Sequence, residues 1–130
     1  MSPKFLSLDD ILFIHSEEIN TAGGEPNIRD PEAIKACIES PKTTFDGDYL
    51  LDLYGMAVAY VSCFVFRHPF IDGNKRTALA SCLTFLYLNG FEVNEEHDEE
   101  LADLVVDLVT KKIDADFLSD FLRTRSSPIS

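Results

Sequence analysis

The sequence predicts an all-α fold, a compact bundle of about six helices, with a small β-hairpin flap near residues 41–48 as the one candidate exception. Three observations carry that reading. Tyr49 to Phe66 and Thr77 to Leu88 are apolar nearly all round, as buried central helices are. Other stretches place apolar residues at helical spacing on one face. Capping residues and glycine stops punctuate the chain where such helices would begin and end.

Taken in order, Ser7-Leu8-Asp9-Asp10 is an N-cap with an acid three residues on. Leu8, Ile11, Leu12, Ile14, His15 and Ile19 then recur at helical spacing until Gly23-Gly24 stops the pattern. His15 lies on or beside this stripe and reads as a packing histidine rather than a catalytic one. After the loop Gly23 to Asn27, Asp30-Pro31-Glu32 supplies a cap, a proline at the first helical position and an acid, opening a helix to about Glu39. Arg29, just before it, has two readings, a phosphate contact or a pair with a surface carboxylate. Ser40 to Asp48, with Asp46-Gly47, is either a hairpin or an irregular connector.

The first central helix should end near His68, because Pro69 disfavours helical backbone in the residue before it. Gly73 then permits positive φ, and Asn74 reads as the N-cap of the second central helix, which Asn89-Gly90 stops. Phe91 to Asn94 is short and extended. Glu95 to Glu100 resembles a metal cluster, but a better reading has Asp98 capping an acidic first turn ahead of Leu101, Leu104, Val105, Leu108 and Val109. Lys111-Lys112 suit a helix C-terminus. Asp114 or Asp116 opens a last helix with Phe117, Leu118, Phe121 and Leu122 inward. Arg123 to Ser130 reads as polar and fraying, so a single domain is placed at 1–125 and a tail at 126–130.

Composition sets the outer limits. A hydrophobic content of 45% in 130 residues is that of an ordinary globular domain with one core. The net charge of −12 argues against a general nucleic-acid binder. Arg67, Lys75 and Arg76 nevertheless cluster, and a small positive hole on an acidic body suits a phosphorylated small molecule. Cys37, Cys63 and Cys82, an odd number without CxxC spacing, read as free thiols in a reducing compartment. No apolar stretch is long enough for a membrane span, and no signal-peptide pattern opens the chain. A cytoplasmic location follows as the expectation.

Chemistry concentrates in Arg67-His68-Pro69-Phe70-Ile71-Asp72-Gly73-Asn74-Lys75-Arg76, a polar loop between the two central helices. A histidine can accept the proton of an attacking hydroxyl near neutral pH. A carboxylate four residues on can hold Mg²⁺ against phosphate oxygens. Gly73 and Asn74 can present backbone N–H groups, and Asn74 its side-chain amide, to a diphosphate, and Lys75 and Arg76 can neutralise charge in a moving phosphoryl or nucleotidyl group. Walker and protein-kinase motifs are absent.

His68 to Arg76 resembles the signature of the Fic/Doc family, and in particular its Doc branch. Gly23-Gly24 with Ile28-Arg29-Asp30, Pro41 and Phe45, and Phe85-Leu86 with Asn89-Gly90 extend the resemblance over most of the chain. The resemblance implies an all-helical fold in which this loop and the following helix bind ATP. It implies His68 as general base, Phe70 as a buried anchor and Asp72 as the Mg²⁺ ligand. Gly73 and Asn74 would form the anion hole, and Lys75 and Arg76 would bind phosphates.

Two departures from the AMP-transferring pattern bear on the reaction. Lys75 stands where that pattern has glycine, and Leu79 where it has the arginine that holds the γ-phosphate. Both match the Doc arrangement, in which the nucleotide lies reversed. Phosphoryl transfer from ATP to a protein hydroxyl is therefore expected, with elongation factor Tu as the target the resemblance implies. AMP transfer and a non-catalytic antitoxin-binding or regulatory domain are the alternatives. The inhibitory helix of self-restrained Fic proteins is missing; Thr21 to Pro26 comes closest, with Glu25, but Pro26 breaks it. A Phd-like antitoxin acting in trans is the expected partner.

Overall fold

Eight residues of one helix, Leu53–Arg67, are buried, and the other elements pack around it. The computed structural model describes residues 2–129. In chain order α1 spans Leu8–Ala22, α2 Pro31–Glu39, α3 Leu53–Arg67, α4 Asn74–Leu88, α5 Asp98–Val109 and α6 Ala115–Arg125. Four short strands complete the fold: β1 Thr44–Phe45, β2 Asp48–Tyr49, β3 Phe91–Val93 and β4 Ser126–Pro128. The all-α prediction holds, and the hairpin reading of residues 41–48 is the right one of its two. β1 and β2 pair antiparallel around Asp46-Gly47, whose φ values of 51° and 85° are those of a tight primed turn.

The core runs along the contact of α3 with α4, closed by α1, α2, α5 and α6. Tyr60, Phe64, Phe70 and Phe85 are its largest fully buried side chains. The Tyr60 hydroxyl accepts the Leu6 N–H at 3.0 Å, and burial pushes the phenol up to about 12, so it stays neutral. Ser7 and Asp10 form the expected capping box on α1, and Asp30 caps α2 through the N–H groups of Glu32 and Ala33.

Several elements differ from the sequence reading. The apolar pattern that begins at Tyr49 becomes helix only at Leu53, because Asp52 caps the Gly55 N–H at 2.8 Å and Tyr49 belongs to β2. Asp98 is the first residue of α5, not its side-chain cap. Phe117 is 53% exposed, while Leu118, Phe121 and Leu122 face inward as expected. The described part of the tail read as fraying is instead structured: α6 runs to Arg125, and β4 pairs antiparallel with β3, Glu92 opposite Ser127.

The thiols also differ. Packing of α2 on α3 brings the Cα atoms of Cys37 and Cys63 to 5.3 Å, and the pair forms a disulfide, a contact that a separation of 26 residues does not reveal. Cys82 is the buried free thiol, pushed up to about 12 by burial. The cysteines therefore give no support to a reducing compartment. Among the described residues no helix is long and apolar enough to cross a membrane.

Asp52 ties α3 to α6, since Arg123 Nη2 donates to its Oδ2 at 2.6 Å. Partial burial alone would raise the Asp52 carboxyl, but the Gly55 N–H and the Arg123 guanidinium outweigh it and hold the group below its ordinary value. Asp52→Ala should lower the unfolding free energy by about 1 kcal/mol at neutral pH, the usual worth of an N-cap, in urea denaturation. A depressed folded pKa stabilises above the unfolded value of about 3.9. That stabilisation disappears as pH falls through the lower folded value, so wild type and variant should converge in that acid range.

Candidate active site

The loop between α3 and α4 lies at the end of the two most buried helices, so its ends cannot drift. His68 terminates α3 in the left-handed region, at φ 49° and ψ 60°. Pro69 and Phe70 are buried, and His68, Ile71 and Asp72 are exposed. Phe70 stacks on His15 of α1, with ring centroids 3.6 Å apart and planes 6° apart, and packs near Phe64 of α3. Phe70 is therefore the buried anchor that the sequence suggested. His15 is the packing histidine. Its Nε2 lies 2.8 Å from the Asp72 carbonyl, which can only accept, so Nε2 carries the proton.

A second segment, Asn27 to Asp30, runs alongside the loop. The N–H groups of Arg29 and Asp30 both donate to the Pro69 carbonyl, at 2.8 and 2.9 Å, and the Ile71 N–H donates to the Asn27 carbonyl at 3.2 Å. Ile28 and Phe70 form an isolated antiparallel bridge. Arg29 neither meets a carboxylate nor projects freely. Its Nε and Nη2 donate to the carbonyls of His68 and Arg67, each at 2.6 Å.

The remaining motif residues divide their work. Gly73, at φ 83°, occupies the N-cap position expected of Asn74, and no side chain caps α4. A Cβ on Gly73 would meet Ile19 Cδ1 at 3.3 Å and the His15 ring at 3.5 Å, so both space and backbone favour glycine there. Asn74 is the first residue of α4 and turns its amide back on the loop. Its Oδ1 accepts the Phe70 N–H at 3.0 Å and its Nδ2 donates to the Phe70 carbonyl at 2.8 Å. Asp72 Oδ2 accepts the Glu25 N–H at 2.8 Å. Arg76 donates from Nη1 to the Glu18 carbonyl at 3.1 Å and from Nη2 to the Gly23 carbonyl at 3.0 Å, closing the C-terminus of α1. Lys75 is exposed. Among the described residues the His68 ring takes part in no hydrogen bond, which leaves both nitrogens open to a substrate.

A cavity of about 250 Å³ lies beside the start of α4. Arg76, Leu79 and Leu83 of α4 and Leu101 of α5 form much of its wall, with Glu18 and Asp98 also lining it. Leu79, the position where an AMP-transferring pattern has an arginine, is part of its apolar side.

A family model described as the Fic/DOC family matches residues 5–86. The chain belongs to the Fic/Doc family. It stands with the Doc branch: it is 33% identical over 120 residues to "Protein kinase doc" of Escherichia phage P1, covering 92% of this chain and 94% of the phage protein. It is 32% identical over 114 residues to "Toxin Doc" of Mycolicibacterium smegmatis, covering 82% of this chain and 88% of that protein. This chain is thus a Doc-like member of a family of transferases.

Asn74 gives the clearest check on this geometry. A residue whose amide served only a ligand would be neutral for stability. Asn74→Ala should instead cost about 1–3 kcal/mol in urea denaturation, because it strands the buried Phe70 peptide groups.

Proposed function

We propose that this Doc-like protein is the toxin of a toxin–antitoxin pair and transfers the γ-phosphoryl group of ATP to a hydroxyl of a target protein. The observation that carries the reading is the loop itself: an exposed histidine, whose ring takes part in no hydrogen bond among the described residues, shares one short turn with an exposed carboxylate, and the helix that follows starts without a side-chain cap. In that reaction His68 takes the proton of the acceptor hydroxyl, whose oxygen attacks the γ-phosphorus. The bond from the γ-phosphorus to the bridging oxygen breaks, and ADP leaves. Unpaired N–H groups at the start of α4, with Lys75 and the positive end of the dipole, would hold the phosphates. Arg76, fixed by α1, would add its charge without reorganising.

Asp72 fits a magnesium site. One carboxylate in water is enough for Mg²⁺, which keeps most of its ligands as water and phosphate oxygens, and the Glu25 N–H holds this carboxylate in place. When bound, the ion would neutralise charge on the phosphate oxygens.

The wall at Leu79, Leu83 and Leu101 favours phosphoryl over AMP transfer. An apolar surface beside Arg76 suits a nucleoside better than a terminal phosphate, as the reversed nucleotide requires. Elongation factor Tu is the target, and a Phd-like antitoxin the partner, that the family resemblance supports.

Intact-mass spectrometry of elongation factor Tu after incubation with this protein, ATP and Mg²⁺ tests the reading. A gain of one phosphate supports it, a gain of one adenylate transfers the protein to the AMP-transfer reading, and no gain removes this target. His68→Ala should lose transfer by on the order of 10²-fold or more with the melting temperature little changed. Asp72→Asn should weaken ATP binding in the presence of Mg²⁺, measured by calorimetry, and leave binding without Mg²⁺ much as it is in wild type.

A further inference from the structure

Arg29 lies outside the motif, in the segment that leads into α2, yet it holds three consecutive carbonyls at the end of α3. Its guanidinium takes those of Arg67 and His68, and its main-chain N–H takes that of Pro69. The last carbonyls of a helix have no partner within the helix and carry the negative end of its dipole. A planar guanidinium with two parallel donors matches two adjacent carbonyls in a way that an ammonium does not.

These contacts bear on His68 in particular. Its backbone is in the left-handed region, which a residue with a Cβ enters at a cost and keeps only where its surroundings hold it. Nothing bonds the imidazole itself among the described residues, so the direction of the ring rests on the main chain beneath it. The Phe64 carbonyl fixes the His68 N–H at 3.1 Å, and Arg29 fixes the His68 carbonyl. Both sides of the left-handed residue are thereby pinned, one from α3 and one from Arg29.

The geometry points to Arg29 as the positioning residue for His68: it clamps the left-handed turn from which the imidazole meets the acceptor hydroxyl. This rests on the reading of His68 as general base. Arg29 is exposed and lies outside the hydrophobic core, so its replacement should leave the rest of the fold intact.

The experiment compares wild type, Arg29→Ala and Arg29→Lys by steady-state kinetics and by hydrogen exchange of the resolved amides. Arg29→Ala should lower kcat on the order of 10-fold or more, as expected of a displaced catalytic group, with KM for ATP and the melting temperature little changed. Arg29→Lys should stay close to Arg29→Ala, since one ammonium cannot take both carbonyls. Exchange at His68, Phe70 and Ile71 should quicken in both variants while the amides of α5 and α6 stay as they are. A raised KM for ATP at unchanged kcat would make Arg29 a phosphate contact and overturn the inference, as would full activity in Arg29→Lys. Unchanged exchange in the loop would overturn it regardless of activity. ATP labelled separately in the α- and γ-phosphates keeps the two readings apart: AMP transfer by wild type would overturn the phosphoryl reading and leave the Arg29 comparison in force. If wild type transfers neither label, the His68 assignment fails, and with it the inference that Arg29 serves a base.

Discussion

The main chain between His68 and Gly73 has to satisfy its peptide groups without a helix or a full sheet of its own, and much of the molecule is arranged to do so. The Pro69 carbonyl takes two N–H groups from the segment after α1, and the Ile71 N–H returns one to Asn27. The Phe70 peptide groups are taken by Asn74, and the Asp72 carbonyl by His15. The partners come from α1, from the segment before α2 and from α4, so the loop holds its form only when those elements are docked. Phe70 completes the arrangement from beneath, stacked on His15 and in the same core as Phe64. Loss of Asn74 in particular would orphan the peptide groups of the buried Phe70.

The charges follow from the same arrangement. Arg67, Lys75 and Arg76 read together as a positive hole in an acidic chain, but the structure spends the guanidiniums of Arg76 and of Arg29, outside that cluster, at helix C-termini. Arg76 closes α1 and Arg29 closes α3, each at the negative end of a dipole. An arginine so placed keeps its charge while losing its freedom. For a site that must stabilise charge as it develops, a fixed cation is worth more than a mobile one, because nothing has to move at the moment of reaction. Among the described residues Arg67 and Lys75, both exposed and on long stems, are the cations of the cluster left to follow a ligand.

Local chemistry was legible in the sequence and long-range chemistry was not. Ser7 with Asp10, Asp30 with Pro31, and Asp46-Gly47 act within a few residues of themselves, and each does in the structure what its type and spacing imply. Pro69 marked the end of α3 at His68, and Phe70 is buried as the resemblance implied, because the loop is short and its ends are buried helices. Asn74 was misread for a physical reason: an asparagine at a helix start is a good cap in isolation, and only the presence of the Phe70 peptide four residues back gives its amide a better use. Arg29 could not be placed at all, since its acceptors lie 38 and 39 residues away. The Cys37–Cys63 bond and the β3–β4 pairing failed to show for the same reason, and nothing in the polar run Ser126–Pro128 marks it as a strand.

The nine residues from His68 to Arg76 divide by exposure into two sets, and that division argues for where the chemistry lies. Pro69 and Phe70 are buried, and Gly73, Asn74 and Arg76 are half-buried with their polar groups or backbone committed to structure. His68, Ile71, Asp72 and Lys75 are exposed. A surface loop selected only for stability has no need to place a histidine in the left-handed region, leave its ring unbonded and leave the adjoining helix without a side-chain cap. The left-handed residue and the missing cap each cost stability, and here they occur within seven residues of an otherwise well-satisfied turn. Strain and unmet hydrogen bonds concentrated in this way are the mark of a site held ready for a ligand. The committed set fixes where the exposed set stands, as the anion site proposed for this otherwise acidic chain requires.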